Sequence, residues 1–182
     1  ILSCSSEVDK KIEIAKKEVS EKSNKLTENQ VKIFLEKGKA NYEEFPEVSK
    51  IYFEKIADRS LEAKRYLAYY ERDYKKNQEK YKSMLLELSS MNDSEAMIDL
   101  GNLYIETEEY EEAEKYIKEA LNIDNKYPLP YLNRSIINMA NGKKEECINN
   151  IEKSIKLGMN NSKVDKIIKN MQSVYANIQS VE

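Results

Sequence analysis

Residues Ser94 to Tyr127 read SEAMIDLGNLYIETEEYEEAEKYIKEALNIDNKY, and this stretch sets both the period and the fold of the chain. In its first half Ala96, Met97, Leu100, Leu103 and Tyr104 share one face of a helix, and in its second half Tyr110, Ala113, Ile117, Ala120 and Leu121 do the same. Each half therefore carries an apolar stripe that needs a partner. Gly101, Ala113 and Ala120 lie inside the stripes, where a large side chain would hold two helix backbones apart. The spacing predicts two antiparallel helices in close contact.

Position by position the stretch resembles the tetratricopeptide repeat, a helix-turn-helix unit of 34 residues. Counting Ser94 as the first residue, the pattern of large and small residues falls on Met97, Leu100, Gly101, Tyr104, Tyr110, Ala113, Ile117 and Ala120. Met97 stands where an aromatic is usual and Asn125 where a proline usually ends the unit, with Pro128 supplying the helix break three residues later. The period returns at once. Counting from Pro128, the matching places are Tyr131, Ser135, Gly142, Cys147, Ile151 and Ser154, again with small residues at the sites of close approach. Asn141-Gly142 is a turn signal, and Gly158 reads as a left-handed cap ending the second helix.

Outward from this pair of units the pattern thins. Thr27 and Gln30 form a capping box, predicting a helix from about Glu28 to Ala40 with Val31, Phe34, Leu35 and Gly38 inward. Pro46 opens another carrying Val48, Ile51, Tyr52 and Ile56 to about Ala57, and Asp58 and Ser60 mark a stop and the next cap. A further pair spans Leu61 to about Leu88, with Ala63, Tyr66, Leu67 and Tyr70 on one helix and Tyr81, Met84, Leu85 and Leu88 on the other. These two units resemble the family in outline, lacking its glycine and its alanines. Ser162 to about Ile178, with Val164, Ile167, Ile168, Met171, Val174, Tyr175 and Ile178, suits a terminal helix that covers an otherwise exposed core.

The expected fold is all-α, an α-solenoid of antiparallel helix pairs wound as a right-handed superhelix with a C-terminal capping helix. The expected organisation is an N-terminal segment over residues 1–27, degenerate pairs over 28–93, two well-matched units over 94–161 and the cap over 162–182. Composition agrees. Charged residues make up 35% of the 182, and four glycines with three prolines leave little for the turns of a β-protein.

Two readings of the N-terminal segment stand open. Ile-Leu-Ser-Cys-Ser-Ser at residues 1–6 is similar to the end of a bacterial lipoprotein signal peptide, with Ser3 the last signal residue and Cys4 the acylated one. That resemblance implies a membrane anchor and a place in the bacterial cell envelope. The other reading is an ordinary cysteine and a cytoplasmic chain. From Ser6 to Ser23 the stripe of Val8, Ile12, Ala15 and Val19 suits either a helical stalk or a first helix docked on the repeats, and two heptads favour docking.

Composition also narrows the chemistry. The chain has no histidine, which removes histidine-based acid-base catalysis and most zinc sites. A net charge of -3 with both signs interspersed gives no field for nucleic acid. The acidic run of Glu106, Glu108, Glu109, Glu111, Glu112 and Glu114 reads as a solvated helix start, and Asp124 and Asn125 lack the glycine and glutamate of a calcium loop. Cys4 and Cys147 are not expected to pair. The expectation is a non-enzymatic protein without a cofactor.

In the tetratricopeptide family the first helix of each pair lines a groove that takes a protein or peptide. The resemblance implies contact positions at Glu95, Ile98, Asp99, Asn102, Ile105 and Glu106 in the central unit, and at Leu129, Leu132, Asn133, Ile136, Met139 and Ala140 in the next. Leu132, Ile136 and Met139 read either as a docking strip or as a patch under the terminal helix, the second being favoured. A carboxylate clamp of the kind some members use would need cations where Ile98 and Ile167 stand, although Asn102, Asn133 and Lys163 match.

Overall fold

The structure, a computed structural model, describes residues 6–22 and 25–159, together with 162, 164, 165 and 169. Among the described residues there are nine helices and no strand. They are α1 (Glu7–Ser20), α2 (Glu28–Asn41), α3 (Pro46–Ile56), α4 (Leu61–Asp73), α5 (Gln78–Ser90), α6 (Ser94–Glu106), α7 (Tyr110–Ile123), α8 (Leu129–Ala140) and α9 (Lys144–Lys156). The all-α helical-repeat fold expected from the sequence is the fold found. The chain divides after Leu88 into two compact units.

The repeat begins with its caps. Thr27 Oγ1 accepts from the Gln30 amide while Gln30 Oε1 accepts from the Thr27 amide at 2.8 Å, completing the expected box. Ser60 caps Ala63 at 3.1 Å and Asp93 caps Ala96 at 2.8 Å, so three first helices start at Thr27, Ser60 and Asp93, at equal intervals along the chain. The hairpins close through residues of positive φ. Gly142 at φ 69° and Gly158 at φ 96° do so at no steric cost, whereas Glu108 at φ 61° does so as a residue with a Cβ.

In the first unit α2 and α3 run antiparallel. Phe34 meets Tyr52 at a ring separation of 5.7 Å, and a Cβ on Gly38 would collide with the Phe53 ring. Phe53 in turn stacks on Tyr66 of α4 at 4.8 Å. The core gathers Ala15, Leu26, Val31, Phe34, Val48, Tyr52, Phe53, Ile56 and Ala63. α1 docks here, as the second reading held: Ala15 is fully buried and Ile12 and Val19 pack on the same core. Between α4 and α5 Lys64 bonds to Glu87 at 3.0 Å, Lys80 to Glu71 at 2.7 Å and Arg72 to the Tyr81 hydroxyl at 3.1 Å, and the Tyr69 and Tyr81 rings lie 6.3 Å apart. Ala63 and Ala68 of α4 are both fully buried, Ala63 within the core shared with α2 and α3.

In the second unit two hairpins, α6–α7 and α8–α9, follow the register read from the sequence. Gly101 faces Ile117, whose Cγ1 would lie 2.8 Å from any added Cβ, and the Tyr104 and Tyr116 rings stack at 5.7 Å. In the next hairpin Cys147 Sγ donates to the Ser135 carbonyl at 3.0 Å and Ser154 Oγ to the Pro128 carbonyl at 3.0 Å. The small polar residues of this core thus find backbone partners. Of the expected terminal helix, Ser162, Val164, Asp165 and Lys169 are helical, and Val164 is buried against Leu132, Cys147 and Ile151. The remainder of that segment, and Cys4, lie outside the described residues.

Candidate interaction surface

The first helices of the second unit, α6 and α8, lie in contact, and one polar bond sets their register: Asn133 Nδ2 donates to Asn102 Oδ1 at 2.7 Å. α6 reaches this position because Gly101 lets α7 approach behind it and Asp93 fixes where it starts. α8 follows from Pro128, with Tyr131 holding the preceding turn through a bond from its hydroxyl to the Asn125 carbonyl at 2.9 Å.

The twelve groove positions divide by burial, with Glu106 and Ala140 both exposed. Glu95 is exposed, and Asp99, Asn102, Ile105, Leu129, Ile136 and Met139 are half-buried. Ile98, Leu132 and Asn133, by contrast, are only 2%, 3% and 3% exposed. Ile98 belongs to a cluster with Met97 and Ala120, and Leu132 to one with Cys147, Ile151 and Val164. These three side chains, expected in the groove, are buried and engaged within the chain. The strip of Leu132, Ile136 and Met139 is accordingly discontinuous, since Leu132 lies under Val164 and Met139 packs against the same cluster. Asn102 and Asn133 bond to each other, and Lys163 lies outside the described residues.

The acidic run occupies a different edge. Glu109 is the residue before α7, Glu111 and Glu112 fill its first turn, and Thr107 donates to Glu109 at 2.7 Å. Further along, Glu114 pairs with Arg134 at 3.0 Å. An open cleft of about 890 Å³ runs beside them, lined in part by Asn138, Lys143, Glu146 and Asn149. Among the described residues no group of three or more histidine, cysteine, aspartate or glutamate side chains is placed to hold a metal ion. Burial pushes the Cys147 thiol up, away from the thiolate a nucleophile requires.

Sequence reasoning missed a set of ties in the first unit. Tyr52 donates its hydroxyl to Glu18 at 2.7 Å, Tyr42 to Asp73 at 2.9 Å, and Tyr70 to Glu47. Each carboxyl is held below its ordinary range. For Glu18 the bond from Lys37 is the main cause and Tyr52 the next; for Glu47 it is the bond from Tyr70. At Asp73 burial pushes upward, but hydrogen bonds from Arg72 and Tyr42 outweigh it. The matching tyrosines are pushed up, by burial first and by the carboxylate second. The signal available in the sequence was only the density of tyrosine and acid, since the partners lie 34, 31 and 23 residues apart.

Helix hairpins with small residues at the crossings and a first-helix face define a helical-repeat protein. Within it, residues 94–127 match the tetratricopeptide repeat family model. In fold the chain is similar to the crystal structure of MamA, with a TM-score of 0.59 and 18% sequence identity over 84% of this chain and 95% of that one. Comparison with the curated proteins finds no match.

Proposed function

We propose that this chain is a protein–protein interaction scaffold that docks a partner protein or peptide on the first-helix face of its second unit, and that it is held in a bacterial cell envelope through acylation of Cys4. The observation that carries the docking reading is the α6–α8 face, registered by the Asn102 to Asn133 bond and leaving Ile105, Ile136 and Met139 half-buried beside the exposed Glu95. Half-buried apolar side chains on a fixed helical frame gain from a partner without refolding. The tetratricopeptide match at 94–127 supports the same reading. The anchor rests on the Leu2-Ser3-Cys4-Ser5 pattern alone. Among the described residues no helix is long and apolar enough to cross a membrane.

The test is crosslinked capture from native membranes with the wild type and with Ile136→Asp. Retained helicity with loss of the captured partner is the expected result. Equal capture by both would overturn the assignment of this face. Mass spectrometry of the native amino terminus decides the anchor: a diacylglyceryl adduct on Cys4 supports it, and an unmodified cysteine removes it.

A further inference from the structure

The helix α1 differs from every other helix in how little it contributes to a core. As the partners of first helices, α3 buries Val48, Ser49, Tyr52, Phe53 and Ile56, α7 buries Ala113, Ile117 and Ala120, and α9 buries Cys147, Ile151 and Ser154. α1 buries Ala15 and nothing else, with Ile12 and Val19 half-buried and Val8 and Ile14 left 42% and 58% exposed. A helix of this length and composition has little stability of its own, so its docking depends on what holds it to α2 and α3.

One residue concentrates that hold. Glu18 receives Lys37 Nζ of α2 on both oxygens at 2.6 and 2.7 Å, and the Tyr52 hydroxyl of α3 at 2.7 Å. Other polar contacts of this segment are weaker: Lys11 Nζ lies over the Phe45 ring at 4.2 Å, and Lys55 reaches the carbonyl of Lys22, just past α1, at 3.4 Å. Solvent reaches the Glu18 side through an open cleft of about 380 Å³ between α1 and α2, lined by Glu21, Lys22, Gln30, Ile33, Phe34 and Lys37. A three-way bond beside water, on the least buried helix, is the arrangement of a latch: strong while made and accessible to whatever breaks it.

We infer that α1 is a releasable strap, latched through Glu18, which opens as a unit while α2 and α3 stay folded and thereby uncovers the Phe34–Tyr52 side of their hairpin. The uncovered face suits a helix with apolar residues at the spacing of Ile12, Ala15 and Val19, because it is shaped by one. This reading does not depend on the docking face proposed for the second unit.

Hydrogen exchange of the full chain, followed helix by helix, tests the strap. The amides of α1 are expected to exchange through an opening that leaves α2 and α3 protected, and Glu18→Gln should raise α1 exchange about tenfold with α2, α3 and α6–α9 unchanged. Breaking the Glu114–Arg134 pair with Glu114→Gln serves as the control and should leave α1 exchange as in the wild type. The strap is overturned if α1 exchanges only together with α3, if Glu18→Gln lowers protection equally across α1 to α3, or if it changes nothing.

Discussion

The two units carry the same helical repeat and fill it with different chemistry. In the second, backbones approach closely over Gly101, Ala113, Ala120, Ser135, Cys147 and Ser154, and large side chains fill the remaining gaps. In the first, rings do the filling: Phe34 on Tyr52, Phe53 on Tyr66, and Tyr42 edge-on to both Tyr66 and Tyr74 at 5.3 and 5.5 Å. Aromatic hydroxyls then need partners as they enter the core, and Glu18, Glu47 and Asp73 supply them. The difference teaches that the period of a helical repeat is a property of backbone packing, and that small residues are one way of meeting it. It also accounts for why the family match is confined to 94–127, the stretch where the small-residue solution is most complete.

If the second unit depends on close approach, enlarging its tightest point should break it more severely than any other change considered. Gly101→Leu would thrust a side chain into Ile117, whose Cγ1 is 2.8 Å from the first added carbon, and helix backbones cannot part without opening the hairpin. The expected loss is about 3 kcal/mol, read as a lowered denaturant midpoint for α6–α9. Unaltered stability would show that the crossing is loose and the comparison mistaken.

Acid should separate the units in the opposite sense. A carboxyl held low in the folded state binds its proton more readily in the unfolded chain, so its contribution is fully present above the unfolded carboxylate pKa of about 4 and disappears as pH falls through the folded value. Glu18, Glu47 and Asp73 all have this sign, and all three sit in the first unit. Between neutrality and pH 5 stability should hold, and below about pH 4 the amides of α1, held through Glu18, and of α2 to α4, tied through Glu47 and Asp73, should lose exchange protection ahead of those of α6 to α9. Simultaneous loss would mean that the tyrosine ties add nothing distinctive to the first unit.

How much of this was legible follows from the same contrast. The hairpins of 94–158 could be read because their small residues recur at fixed places, and Thr27 with Gln30 or Asn141 with Gly142 could be read because caps and turns are local. The tyrosine ties could not, since each joins residues far apart in sequence. Nor could the burial of Ile98, Leu132 and Asn133. A groove position fixes the face of its helix, whereas exposure depends on the neighbour, and here Val164 covers Leu132 while Asn102 engages Asn133.

A smaller effect tests whether ring packing leaves the first unit imperfect. Ser49 is buried on α3 and its hydroxyl has no partner among the described residues, in contrast to Ser135 and Ser154, which bond to carbonyls in the second unit. Removing an unsatisfied buried hydroxyl avoids its desolvation cost, so Ser49→Ala should raise stability by about 1 kcal/mol, seen as a higher midpoint for the first unit. The equivalent Ser154→Ala should instead lower it.

The smallest change bears on the turns, where the second unit holds its own irregularity. Gly142 closes the α8–α9 hairpin at φ 69°, and Glu108 closes the α6–α7 hairpin at φ 61° with a side chain that disfavours that conformation. A non-glycine residue in the left-handed region costs roughly 1–2 kcal/mol, while glycine loses about 0.5–1 kcal/mol more chain entropy on folding. The difference favours glycine slightly. Glu108 is exposed, so the substitution removes little packing, and Glu108→Gly should raise the midpoint of the second unit by the equivalent of about 0.5 kcal/mol. A decrease would show that the Glu108 side chain contributes more to the turn than its backbone costs, and that the two hairpins of this unit close on different terms.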